Sequence, residues 1–205
     1  MRVRHLPYAA LTAAPWKNGG GITREIAVAP EGAGSGGDFL WRLSIAEVAG
    51  SGPFSVFPAV DRTLTILEGA GIKLDFTEGD DQVIDVKWRP ARFDGGRACV
   101  GQLIGGPVTD FNVMTRRPGV AHRVRLVRLA DETLAEALEN EVTALLLLKG
   151  ELVVECGDTR ASLAPRDCFL VERDATESGS LRAVCASDAA ALLVEIDLSP
   201  GKPRG

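Results

Sequence analysis

Between Trp16 and Met114 the chain spaces out side chains able to hold a small polar ligand. Lys17, Arg24, Arg42 and Arg62 are cations, Asn18 and Asn112 amides, Thr23 and Ser44 hydroxyls, and Glu25 and Asp61 carboxylates. Arginine offers a planar fork of N–H donors that fits a carboxylate in two parallel charge-assisted bonds, so Arg24, Arg42 or Arg62 could grip such a group. Lys17 would add charge, and Asn18 and Asn112 could read an amide or a formyl group. Gly19-Gly20-Gly21 leave the backbone free to take positive φ, and the N–H groups around Gly20 could complete a nest for an anion. Glu25 and Asp61 would orient the arginines or, if unpaired and desolvated, act as a base. The plainer alternatives are a tight turn entering a strand with solvated charges, an Arg42 in solvent on a half-buried strand, and an Asp61-Arg62 pair that caps a turn.

The elements that must position these groups read as short strands. Twenty-three glycines and eleven prolines, with no repeat period, cut the sequence into strand-length pieces. Arg2 to Leu6 predicts a first strand, Tyr8 to Ala14 a turn or single helical turn, and Thr23 to Val28 a strand leaving the glycine loop. Pro30 to Asp38 has loop composition. Phe39 to Ala46 alternates, with Trp41, Leu43 and Ile45 on one face and Arg42, Ser44 and Ala46 on the other, as in a barrel strand with a polar inner face. Thr109 to Arg117 repeats that pattern, Phe111 and Val113 opposing Asp110, Asn112 and Met114. Thr63 to Glu68 and Ile72 to Phe76 flank glycines and predict a hairpin. Asp131 to Asn140, with Leu134 and Leu138 at i, i+4, has short-helix composition and reads as a linker or surface turn. Ser199 to Gly205 reads as a frayed tail.

A second block echoes the first. Leu145 to Gly150 and the strand after it match Leu64 to Gly69 and its sequel, with the two glycines 81 positions apart (150 − 69), and Pro165 to Phe169 echoes Pro90 to Phe93. Two anchors in the same order predict an internally duplicated β-unit.

At 205 residues and 45% apolar content the chain has enough material for a substantial core. Lys plus Arg number 23 against 28 Asp plus Glu, and the net charge of −5 argues against nucleic acid or an anionic membrane as partner. Cys99, Cys156, Cys168 and Cys185 are widely spaced and predict buried thiols in a reducing, cytoplasmic setting. His5 and His122 stand far apart with no His-x-His, so no transition-metal site and no cofactor is expected.

The strand, glycine, strand series resembles cupin half-barrels, and two of them look like a bicupin. Four motifs sharpen the likeness: Pro15 to Gly21 with Thr23-Arg24-Glu25; Trp41 to Ala46; Gly52 to Ser55 with Pro58, Asp61 and Arg62; and Asp110 to Met114 with Arg116-Arg117. Together they resemble the HutD/Ves family, which usually has glycine where Ala59 stands and threonine where Ile22 stands. The resemblance implies an all-β bicupin of two jelly-roll (double-stranded β-helix) barrels related by internal duplication. Residues 1–205 would form one bicupin unit, 1–120 an N-terminal barrel with the pocket and 121–205 a C-terminal barrel.

It further implies a metal-free protein that binds a small carboxylate of the formate or formylglutamate kind and serves histidine utilisation. The expected ligand-binding residues are Trp16, Lys17, Asn18, Gly20, Thr23, Arg24, Glu25, Arg42, Ser44, Asp61, Arg62, Asn112 and Met114, with no catalytic residue. Two alternatives stay open: a metal-free isomerase or hydrolase using Glu25 or Asp61 as base beside Lys17, and a scaffold whose second barrel forms a homodimer.

Overall fold

The structure, a computed structural model, describes residues 1–33, 38–130, 133–185 and 188–198. In chain order the strands begin with β1 (Arg2–Leu6), β2 (Ala13–Pro15), β3 (Gly21–Ala29), β4 (Trp41–Val48), β5 (Gly52–Pro53) and β6 (Val60–Glu68). There follow β7 (Ile72–Phe76), β8 (Gln82–Ile84), β9 (Ala91–Asp94), β10 (Cys99–Leu103), β11 (Val108–Arg116), β12 (Ala121–Leu129) and β13 (Thr133–Ala137). The last are β14 (Val142–Lys149), β15 (Leu152–Cys156), β16 (Thr159–Leu163), β17 (Cys168–Glu172), β18 (Ser180–Val184) and β19 (Ala189–Asp197). A 3-10 turn at Tyr8–Ala10 is the one helical element among the described residues.

Two compact units emerge. Thr12–Ala121 forms one; Met1–Leu11 joins the described residues from His122 onward in the other. The first unit has a six-stranded sheet in the order β2-β3-β4-β11-β6-β9 and a four-stranded sheet β5-β10-β7-β8. The second has β1-β17-β14-β19-β12 and β13-β18-β15-β16. Four strands correspond in each larger sheet and four in each smaller one, in the same order.

The correspondence extends to the corners. Gly69 and Gly150 both have positive φ (93° and 85°). A Cβ on Gly69 would lie 2.6 Å from the Pro107 carbonyl oxygen, and one on Gly150 would lie 2.5 Å from that of Asp188. Each register also shifts at the matching place, where Thr109 opposes Glu68 and Ala190 opposes Lys149. Glycine is required at both corners because any side chain would strike the backbone of the returning strand.

Side-chain alternation places the cores. On β7, Ile72, Leu74 and Phe76 are buried while Lys73 and Asp75 are partly exposed. With Ala46, Val48, Leu64, Ile66, Ile84, Cys99 and Val108 they fill the space between the two sheets of the Thr12–Ala121 unit. The second unit is filled by leucine and valine, including Leu145, Leu147, Val154, Leu181 and Leu193. All four cysteines are free and buried.

Three expectations are corrected. β6 and β7 do not form a hairpin: β6 pairs with β11 and β9, and β7 with β10 and β8, because Gly69 and Gly71 (φ 131°) carry the chain from one sheet into the other. The segment 131–140, of helical composition and expected as a linker or surface turn, instead holds β13, paired antiparallel with β18 from Thr133 to Ala137, with Leu134 packed on the core; residues 131 and 132 lie outside the described residues. The pairing of β13 with β18 overrides its helical composition. Finally, β1 pairs residue for residue with β17, from Arg2 opposite Glu172 to Leu6 opposite Cys168, so residues 1–11 belong with the C-terminal half rather than with an N-terminal barrel 1–120. The tail 199–205 and part of the 30–38 loop lie outside the described residues.

Candidate functional site

Gly21 fixes the entrance loop. A Cβ there would sit 2.4 Å from the Glu47 carbonyl oxygen and 3.3 Å from the Trp16 ring, so only glycine lets the loop close on β4. The Trp16 amide donates to the Gly21 carbonyl at 2.9 Å, and its indole Nε1 donates to Thr23 Oγ1 at 2.7 Å. The Gly19 N–H donates to the Trp16 carbonyl and the Gly20 N–H to Asn18 Oδ1. Those two donors are spent inside the turn, and the expected anion nest at Gly20 does not form.

Behind this loop a cavity of about 660 Å³ opens in the Thr12–Ala121 unit. Among its walls are nine of the thirteen residues expected from sequence: Trp16, Lys17, Asn18, Thr23, Arg42, Ser44, Arg62, Asn112 and Met114. Strand alternation explains the meeting. Arg42 and Ser44 on β4 oppose Met114 and Asn112 on β11, which in turn oppose Arg62 and Leu64 on β6, so all the polar members share one face.

Gly20, Arg24, Glu25 and Asp61 do not line the cavity. Arg24 forms an ion pair with Glu47. Glu25, opposite Ser44 on β4, accepts at Oε2 from Arg42 Nε at 2.8 Å. Asp61 is a correction: it precedes Arg62 and points to the opposite face, pairing with Arg92 at 2.6 Å and Arg117 at 3.5 Å. A base drawn from Asp61 is therefore outside the cavity, and Glu25 is committed to Arg42.

Eight wall residues fell outside the expected set: Ala14, Pro15, Ala46, Pro53, Phe54, Ser55, Phe57 and Asp110. Asp110 carried a legible signal, its alternation with Asn112 and Met114. Phe54 is placed by a bare backbone, since a Cβ on Gly101 would come within 2.4 Å of its ring. Ala59, where the family usually has glycine, takes φ 58°, the left-handed region that favours glycine. Ile22 faces away from the cavity, so its missing hydroxyl costs the site nothing.

The floor is a charged network. Arg42 and Arg62 are only 8% and 7% exposed, and Asp110 is 1% exposed. Asn112 Oδ1 accepts from Arg62 Nε at 2.8 Å and from its Nη2 at 2.6 Å, while Asn112 Nδ2 donates to Asp110 Oδ1. The Arg62 guanidinium lies 4.8 Å from the Phe54 ring centre and 5.4 Å from that of Phe93. Burial pushes Arg62 down to about 10, with Asp110 acting upward, so it stays charged at neutral pH. Burial pushes the Asp110 carboxyl up to about 7, against the pull of Arg62 and the Asn112 hydrogen bond. Among the described residues, Nη1 and Nη2 of Arg42 and Nη1 of Arg62 have no hydrogen-bond partner. Free guanidinium N–H groups at the wall of a buried chamber suit an anion with two acceptor oxygens.

Among the described residues, no group of three His, Cys, Asp or Glu side chains is placed to hold a metal ion. His5 Nε2 instead lies 3.1 Å from Asp167 Oδ2, and His122 is buried. No described helix is long and apolar enough to cross a membrane.

A family model described as HutD matches residues 8–192. The chain belongs to the HutD family. It is 39% identical over 119 residues to Protein Ves of Citrobacter koseri, a match spanning 58% of this chain and 59% of that protein. It is 40% identical over 100 residues to an uncharacterised 21.2 kDa protein encoded in the hutC 3′ region of Pseudomonas putida, covering 49% and 51% of the two chains. The chain thus spans about half to three-fifths of the curated relatives it matches. The structure of HutD from Pseudomonas fluorescens SBW25, in a formate condition, superposes with a TM-score of 0.79 at 27% identity over the whole of both chains. A cupin 2 conserved barrel domain protein from Leptotrichia buccalis shares the fold, with a TM-score of 0.63 at 8% identity over 96% of this chain and 98% of that one. This HutD-family chain has an all-β fold shared with a cupin barrel protein.

Proposed function

We propose that this chain binds a small carboxylate, of the formate or formylglutamate kind, in the cavity of the Thr12–Ala121 unit, and that it acts by binding rather than by turnover in the service of histidine utilisation. The observation that carries the reading is Arg42: buried, oriented through Nε by Glu25, and presenting two uncommitted terminal nitrogens to the chamber. A carboxylate docked on that fork gains two charge-assisted bonds from a guanidinium that is itself buried. The formate condition of the Pseudomonas fluorescens relative and the hut-region origin of the Pseudomonas putida relative support the same ligand class. Four buried free thiols support a cytoplasmic setting.

Isothermal titration with formate, formylglutamate, glutamate and urocanate tests the reading. One of them is expected to bind, and Arg42→Ala to weaken it by about 1.5–3 kcal/mol, roughly 10- to 150-fold. Folded protein that binds none of the four at millimolar concentration removes the ligand class.

A further inference from the structure

Each arginine of the floor already has a carboxylate in its network before any ligand enters. Arg42 is matched by Glu25, and Arg62 is joined through Asn112 to Asp110. Lys17 adds a further cation at the exposed rim. A carboxylate entering the floor therefore places a second negative charge in the same cavity as the buried Asp110 carboxyl, and two such groups close together disfavour joint ionisation. Asp110 is the group able to relieve that conflict, since only its Oδ1 is engaged, by Asn112 Nδ2.

We propose that Asp110 makes ligand binding proton-coupled: where this carboxyl is ionised, the site takes up one proton from solvent with each carboxylate it binds, holding it on the Asp110 oxygen that Asn112 leaves free. This rests on the carboxylate-binding reading above. The balance is simple, because ionised Asp110, the ligand carboxylate and one proton give a neutral Asp110 acid beside a bound anion. Protonation also reverses the chemistry of the floor. A carboxylate only accepts hydrogen bonds, whereas the acid form has an O–H able to donate to the incoming anion.

The neighbours of Asp110 are consistent with this assignment. β4 contributes Arg42, β6 contributes Arg62, β3 contributes Glu25 behind Arg42, and the entrance loop contributes Lys17. From the facing sheet Cys99 on β10 is held neutral by burial, which pushes its thiol up. Arg62 remains a cation, being lowered only to about 10. Asp110, raised to about 7, is the member of this set placed to exchange a proton near neutral pH.

The test is titration of the full chain with sodium formate at pH 6 to 8.5, in two buffers of different ionisation enthalpy. Above about pH 7 the Kd should climb toward tenfold per pH unit and flatten below it. At pH 8 the difference in heat between buffers should correspond to uptake of about one proton per formate. Asp110→Asn should bind with a Kd that stays flat across the range, its folding checked by circular dichroism. Wild-type binding that is pH-independent and without proton uptake overturns the proposal, and so does a slope that survives in Asp110→Asn. Wild-type protein that binds neither formate nor the other three carboxylates even at pH 6 fails at the earlier step, overturning the carboxylate reading and this inference with it.

Discussion

Replacing Asp110 by Asn should flatten the pH dependence of stability between pH 5 and 8. In the folded chain burial holds this carboxyl up near 7, against its ordinary 3.8. Between those values the folded state binds more protons than the unfolded one, so the contribution of Asp110 is complete below 3.8 and is lost as the pH rises through about 7. A gap of about 3 pKa units is worth about 4 kcal/mol, of which roughly 2 kcal/mol falls between pH 5 and 7. Asp81, Asp94 and Glu177 act in the opposite sense, their pKa values lying below the ordinary 3.8 or 4.5, so their effect is confined to more acid solution. Asn keeps the shape and can still accept from Asn112 Nδ2. Its weakened partnership with Arg62 is the same at every pH in the range and cancels from the slope. Urea denaturation followed by tryptophan fluorescence is the assay, because Trp16, Trp41 and Trp88 all lie in the Thr12–Ala121 unit. A wild-type minus Asp110→Asn difference that changes by less than ~0.5 kcal/mol from pH 5 to 8 would refute the reasoning.

Two further outcomes are expected. Gly150→Ala should destabilise by about 2–4 kcal/mol in thermal or urea unfolding, through positive φ and the contact with Asp188, whereas Gly50→Ala, with open space around its Cβ position, should change stability by less than ~1 kcal/mol. Asp61→Asn should leave the affinity for formate unchanged, since Asp61 faces away from the cavity and pairs with Arg92 and Arg117; a tenfold loss would place it back in the site.

Much of the site was legible from period-two alternation. Arg42 and Ser44 could be set against Trp41 and Leu43, and Asn112 and Met114 against Phe111 and Val113, before any coordinate, because a pleated strand leaves no other arrangement. The same rule separates Asp61 from Arg62 and brings Asp110 in beside Asn112; adjacency in sequence masked the first and the choice of arginine partners the second. The sheet to which a strand belongs was less accessible. Thr63 to Glu68 and Ile72 to Phe76 look like hairpin arms, and only the backbone atoms crowding Gly69 and Gly71 show that the chain changes sheets there. The segment before Asn140 has helix-forming residues, yet its pairing with β18 decides its state, and that partner lies more than 40 residues away. Phe54 stood out only as part of the Gly52 to Ser55 motif, and neither it nor Phe57 carried a chemical signal of its own, since an aromatic beside prolines could as well be core.

Gly69 and Gly150 occupy matched corners of the two units. The counterparts of Asp110 and Asn112, 81 positions further on (110 + 81 and 112 + 81), are Ala191 and Leu193, both within the apolar cluster of the other unit. One framework is thus hollow and charged where two polar residues stand, and solid where an alanine and a leucine replace them. Such a frame separates shape from content: its bends are policed by glycines at the ends, while its middle can be traded between vessel and filler without redrawing the outline.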